Sequence, residues 1–107
     1  MKKITLLGSG KILLNLIPFI FEHTKYDEIL VGYSPRHGKG IIQSGITLEN
    51  KLLELSRKYE NLSIYCFDSL DDDKYNILCQ SEIQISLGSA WIFKKRHIDK
   101  SPYLIHA

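Results

Sequence analysis

Several groups of residues in this chain place reactive or ligand-addressing atoms at turns, where a fold can expose them. Gly8-Ser9-Gly10 stands between an aliphatic run and a helical period, so its backbone N–H groups and the helix start form a donor set suited to phosphate. The same glycines would serve equally well to let a helix pack closely on a sheet. Arg36, His37 and Lys39 lie in the loop Ser34 to Gly40, where they could steer a phosphorylated or RNA acceptor or be only solvated charges. Gly88 is followed by Ala90, Trp91, Ile92 and Phe93, a turn that offers main-chain groups beside apolar side chains, or aromatic residues that simply pack. His106 stands near a strand end, and a histidine there is a proton-transfer group only if partners surround it. Asp71-Asp72-Asp73 falls at a helix start, where carboxylates favour the dipole, so it reads as a solvated cap and no metal site is expected. Cys66 and Cys79 match no metal or redox spacing and read as structural thiols.

The elements that must hold these groups follow from the hydrophobic period. Lys3 to Leu7 is a strand, and Ile12, Leu13, Leu16, Ile17 and Ile20 mark a helix that Pro18 should weaken or kink. Glu28 to Tyr33 is a strand apolar on both faces. Thr47 precedes a leucine-periodic helix from Leu48 to Lys58, and Leu62 to Phe67 alternates as a strand. Asp68-Ser69 is placed to cap a short helix through Tyr75 and Leu78, and Glu82 to Leu87 is another strand. Ile92 to Lys100 has an amphipathic pattern, and Tyr103 to His106 restarts a strand after Pro102. The order βαβαβαβαβ predicts a Rossmann-like, doubly wound, mostly parallel sheet in three αβα layers, incomplete at this length. Ligands of such sheets bind at the carboxyl ends of the strands.

At 107 residues, 44% of them hydrophobic and 24% charged, the chain is long enough for one core and one domain, residues 1–107. Its net charge of +2 is spread along the chain apart from Lys94-Lys95-Arg96 and does not demand a nucleic-acid partner. The apolar run Ile12 to Phe21 is broken by Asn15 and Pro18 and is shorter than the ~20 residues a membrane span needs. Nothing after it resembles a cleavage site, so a cytoplasmic protein is expected.

Three strings carry a likeness: Lys3 to Gly10; Val31-Gly32-Tyr33-Ser34-Pro35-Arg36-His37-Gly38-Lys39-Gly40 with the helix and strand that follow; and Ser86-Leu87-Gly88-Ser89-Ala90-Trp91-Ile92-Phe93-Lys94-Lys95 ending in Ile98-Asp99. Together they resemble the formyltransferase family, folate-dependent enzymes that formylate glycinamide ribonucleotide, initiator tRNA or amino sugars on nucleotides. The second string is similar to the initiator-tRNA branch, the third to sugar formyltransferases. The resemblance covers the amino-terminal part of the family's domain. It implies 10-formyltetrahydrofolate as cofactor, held by main-chain groups at Gly88, Ala90, Trp91, Ile92 and Phe93. It also implies an amine acceptor at Gly8, Ser9 and Gly10, with Arg36 and Lys39 nearby. The family's Asn-x-His motif follows this region, with a catalytic Asp some tens of residues later. His106 is either the motif histidine, with Leu104 at the asparagine position, or His106 or Ala107 stands where the asparagine belongs. On either count the chain stops about where the catalytic strand delivers its chemistry, and it is expected to be inactive alone. Two other readings stay open: a ligand-binding or interaction module of the same fold, and a nucleotide-binding oxidoreductase domain. The dinucleotide fingerprint lacks its third glycine, which would fall near Leu13, and after the Tyr33 strand no acidic residue stands where a ribose hydroxyl would be held.

Overall fold

The computed structural model describes residues 2–101 and 103–106 of the chain. Five strands, β1 (Lys3–Gly8), β2 (Glu28–Tyr33), β5 (Leu62–Cys66), β6 (Ile83–Leu87) and β7 (Leu104–His106), form one sheet in the order β5-β2-β1-β6-β7. Every pairing in it is parallel, with Ile4 opposite Ile29 and Ile83, and Ser86 opposite His106. The expected doubly wound α/β architecture is therefore present.

Strand faces explain the layers. Ile4, Leu6, Ile29, Val31 and Leu62 turn to one side and pack with Leu13, Ile17 and Ile20 of α1 (Gly10–His23) and with Leu48 and Leu52 of α3 (Leu48–Lys58). Leu7 and Leu30 turn to the other side, against Tyr75 and Leu78 of α4 (Asp73–Leu78) and against Phe67, Leu70, Trp91 and Phe93. Successive strand residues point to opposite faces, so a sheet apolar on both must be covered on both. Thr5 is paired inside the core, its hydroxyl donating to the Leu78 carbonyl at 3.0 Å and lying 2.6 Å from the Ser81 hydroxyl, whereas the buried Gln84 Nε2 and His37 Nδ1 find no partner among the described residues.

Local signals set some boundaries and not others. Thr47 caps α3 as expected, its hydroxyl accepting from the Asn50 amide. α1 runs unbroken through Pro18, where packing of Leu13, Ile17 and Ile20 outweighs one missing hydrogen bond. Asp68-Ser69 is not the cap of α4; Asp72 is, accepting from the Lys74 amide. The helix expected from Ile92 to Lys100 shrinks to one turn, α5 (Lys95–Ile98), because Phe93 is drawn out of the helical path into the Phe67 and Tyr75 cluster beside Trp91. Ser34 to Gly40 is not an open loop either. It contains a turn of helix, α2 (Pro35–Gly38), followed by a small antiparallel hairpin of β3 (Ile41–Gln43) and β4 (Ile46–Thr47) about Gly45 at φ +70°. No helix is long and apolar enough to cross a membrane among the described residues. Pro102, after which the last strand was expected to restart, and Ala107, one candidate for the motif's asparagine position, lie outside the described residues.

Candidate active site at the switch point

Because all five strands are parallel, their carboxyl ends share one edge, and strand order reverses between β1 and β6. From that pair the chain builds outward to β2 and β5 on one side and to β7 on the other, leaving a crevice where no crossover lies.

Gly8 forms one lip. Its φ is +147°, and the Ser9 amide donates to the Leu87 carbonyl at 3.2 Å. A Cβ added at Gly8 would stand 2.0 Å from that carbonyl oxygen. Gly8 is thus explained by the close approach of β1 and β6, and the Ser9 amide is already spent. Ser9 is the N-cap of α1 but its hydroxyl makes no capping bond. Gly10, at φ +85° with open space around it, is the group that faces outward. Ser9, Gly10, Ile12, Leu87 and Gly88 enclose a recess of about 400 Å³.

Of the turn from Gly88 to Phe93, Gly88 reaches that recess, while Ala90, Trp91 and Ile92 line another of about 300 Å³ with Asp71, Arg96 and His97. Gly88 has φ +62°, which releases the chain from β6. Within the described residues, no turn or loop hydrogen bond engages a main-chain group from Ser89 to Phe93, so these amides and carbonyls can address a ligand edge. The aromatic side chains are fixed. The Trp91 indole N–H donates to the Asp68 carbonyl at 3.0 Å while its ring stacks on Phe67 at 4.6 Å. Ile92 is 85% exposed and makes no part of the core. The Phe93 ring meets the His106 imidazole edge-on at 5.0 Å.

His106 ends β7 opposite Ser86, whose hydroxyl lies 2.9 Å from that of Ser89. Register partners in a parallel pair share a face, so His106 and Ser86 stand on the Phe93 side of the sheet. Arg36 joins the Gly10 lip in a smaller recess of about 230 Å³ with Ser9, Gly10 and His37. Lys39 does not reach that recess; it is the exposed C-cap of α2. The structure therefore brings Ser9, Gly10 and Gly88 to one recess and Arg36 to a second beside Ser9 and Gly10, while Ala90, Trp91 and Ile92 line a third and His106 stands against Phe93.

One constellation joins residues too far apart in sequence to be read together. Asp71 accepts from Arg96 Nε at 3.2 Å, from Arg96 Nη2 at 3.0 Å and from His97 Nε2 at 2.9 Å. The Lys94 amide donates to His97 Nδ1 at 3.1 Å, which leaves the ring proton on Nε2, pointing at the carboxylate. His97 is buried, with both nitrogens satisfied, so it positions rather than reacts. The Arg96 guanidinium, then His97, hold the Asp71 carboxyl well below the usual range, and Asp71 in turn raises Arg96. The clamp ties the loop before α4 to α5, and with them the turn between β6 and α5. Only Asp72 and Asp73 of the acidic run behave as a cap and first turn.

Beyond β2, the Tyr33 hydroxyl donates to Glu49 at 2.8 Å; burial first, then Glu49, pushes its phenol above the ordinary range. Burial and Glu49 also push up the Cys66 thiol. Cys66 and Cys79 are both free thiols, Cys79 buried, and no group of three metal-ligating side chains occurs among the described residues. No family model matches the chain, and no curated protein or solved structure matches it either.

Proposed function

We propose that this chain is the amino-terminal, ligand-binding part of a folate-dependent formyltransferase, a cytoplasmic enzyme of one-carbon metabolism. One observation carries the reading: the glycine turns of the first and third strings that resemble that family, far apart in sequence, line a single recess at the β1–β6 switch point. Gly10 and the open start of α1, with Arg36, receive the acceptor. The main chain from Ser89 to Phe93 suits the hydrogen-bonding edge of a pterin, against the apolar Trp91 and Phe93. Those residues fit 10-formyltetrahydrofolate, which when bound supplies the formyl group.

Transfer joins the acceptor nitrogen to the formyl carbon, breaks the bond from that carbon to the folate nitrogen, and moves one proton from the amine to that nitrogen. We assign the carriage of that proton to His106, whose ring meets Phe93 edge-on at 5.0 Å. The oxyanion donor and the carboxylate that complete such a site are not assigned to residues of this chain. An oxidoreductase role is disfavoured by Leu13, fully buried where the third glycine of a dinucleotide fingerprint would stand.

Equilibrium titration of the chain with 5-formyltetrahydrofolate, a stable analogue, in parallel with NAD tests the reading. Saturable folate binding in preference to NAD supports it. Binding of NAD alone would favour the oxidoreductase alternative, and binding of neither would remove the cofactor from this chain.

A further inference from the structure

The two faces of the sheet are not covered alike. α1 and α3 lie over β1, β2 and β5, whereas α4 and α5 lie on the opposite face, where Tyr75 packs with Leu7 and Leu30 and its ring meets that of His97. On the α1 side, β6 and β7 have no helix of their own among the described residues. Ile83, Ile85 and Leu87 are only half-buried there, and Ile105, paired with Ile85, is 47% exposed. α1 turns a second apolar stripe to the same side: Ile12, Leu16 and Phe19 recur at helical spacing beside the buried Leu13, Ile17 and Ile20, and Ile12 shares a recess with Leu87. Ile12 is 66% exposed, Phe19 54%, and Tyr103, which lines a recess with Tyr26 and Ile83, 70%. At roughly 200 Å² for a large side chain, Ile12, Phe19, Tyr103 and Ile105 alone expose about 500 Å², most of the ~800 Å² that each partner of a standard interface buries.

We propose that this face is the interface of a homodimer, in which two copies pack about a twofold axis with their α1 helices antiparallel, each covering the other's β6–β7 half. The proposal does not rest on the formyl-transfer reading. A contiguous apolar patch of this extent marks a surface that is covered in use. The winding of the sheet does not supply the cover: a right-handed crossover that moves outward from β7 falls on the α4 side, as α5 does. The charges along α1 suit a second copy. Lys11 opens the helix and Glu22 lies in its last turn, both exposed and neither in an ion pair among the described residues. About three turns separate them, so they edge the stripe on one side, at opposite ends. Antiparallel packing sets Lys11 of each copy beside the partner's Glu22, and the twofold makes that contact twice. A membrane surface would call for cations along the whole polar edge, and here one end is acidic.

The test is sedimentation equilibrium of the whole chain, which is expected to show a reversible monomer–dimer equilibrium with Kd of roughly 1–100 μM. Phe19 is exposed, so Phe19→Asp leaves the circular dichroism and Tm of the monomer unchanged and is expected to raise Kd about ten-fold or more. Lys11→Glu or Glu22→Lys alone sets like charges together at both contacts and is expected to raise Kd about three-fold at low salt. The two reversals combined restore the parent Kd, which charge removal from an unrelated surface would not do. A chain monomeric at ~1 mM, a dimer indifferent to Phe19→Asp, or reversals whose losses add instead of cancelling would each overturn the proposal. A monomer that binds phosphatidylcholine–phosphatidylserine vesicles, and loses them on Phe19→Asp, would also overturn it and give the face to a membrane.

Discussion

Gly8→Ala attacks the crevice at its narrowest point. The new methyl would stand 2.0 Å from the Leu87 carbonyl oxygen and 2.7 Å from its carbon, both main-chain atoms with no rotamer to escape into. The φ of +147° adds backbone strain of about 1–3 kcal/mol. Relief of the clash requires β1 and β6 to part at their carboxyl ends, comparable to an overpacking cost of about 1–3 kcal/mol. The sum is about 2–6 kcal/mol, a large share of the ~5–15 kcal/mol that holds a domain together. For a chain of this size each kcal/mol moves Tm by roughly 4–8 °C, so a loss of at least ~8 °C is expected. Gly10→Ala is the control: φ +85° carries strain, but nothing lies within 4 Å of its added Cβ. Thermal and urea unfolding of both variants separate clash from strain. A Gly8 variant no less stable than the Gly10 variant would refute the argument that close strand approach, rather than φ alone, requires this glycine.

Other expectations follow from particular contacts. Pro18→Ala restores an amide to the interior of α1 and should stabilise the protein by about 1–3 kcal/mol in urea unfolding; a loss would mean that the proline ring is itself needed for packing. Asp71 has a folded pKa depressed by Arg96 and His97, so its contribution is present above the unfolded value near ~4 and is lost as pH falls through the lower folded value. The urea midpoint should therefore fall more steeply below pH ~4 in the parent chain than in Asp71→Asn, and parallel curves would contradict the clamp. Tyr33 has a raised pKa, so its share of stability is present below the ordinary tyrosine value and is lost as pH rises through the folded one. Tyr33→Phe should leave the native alkaline absorbance titration unchanged and lower only the phenolate signal released on unfolding.

The parts of the fold that were legible in the sequence are those decided within a few residues. Thr47 and the leucine period of Leu48 to Lys58 mark α3 because cap and amphipathic face are both local. β1 and β2 are legible because burial on both faces makes them nearly continuously apolar, and β5 and β6 because their residues alternate. What tertiary packing decides was not. Phe93 leaves the expected helix because Tyr75 offers it a partner more than a dozen residues away. Asp71 looked like a cap because Arg96 and His97, which hold it, lie 25 and 26 residues on. The β3–β4 hairpin had a local signal in Ile41-Ile42 and Ile46 about Ser44-Gly45, a short turn pair between β-branched residues. Of the candidate site, the two glycine turns were placed correctly at strand ends. Their meeting across one crevice depends on strand order, which no local pattern encodes.

The most direct test of the central claim is residue-by-residue mapping of 10-formyltetrahydrofolate on the isotope-labelled chain. The account predicts saturable shifts at Gly88 to Phe93 and at His106, with the amides of α3 unmoved. Shifts scattered over the surface, or confined to residues outside the β1–β6 crevice, would contradict it.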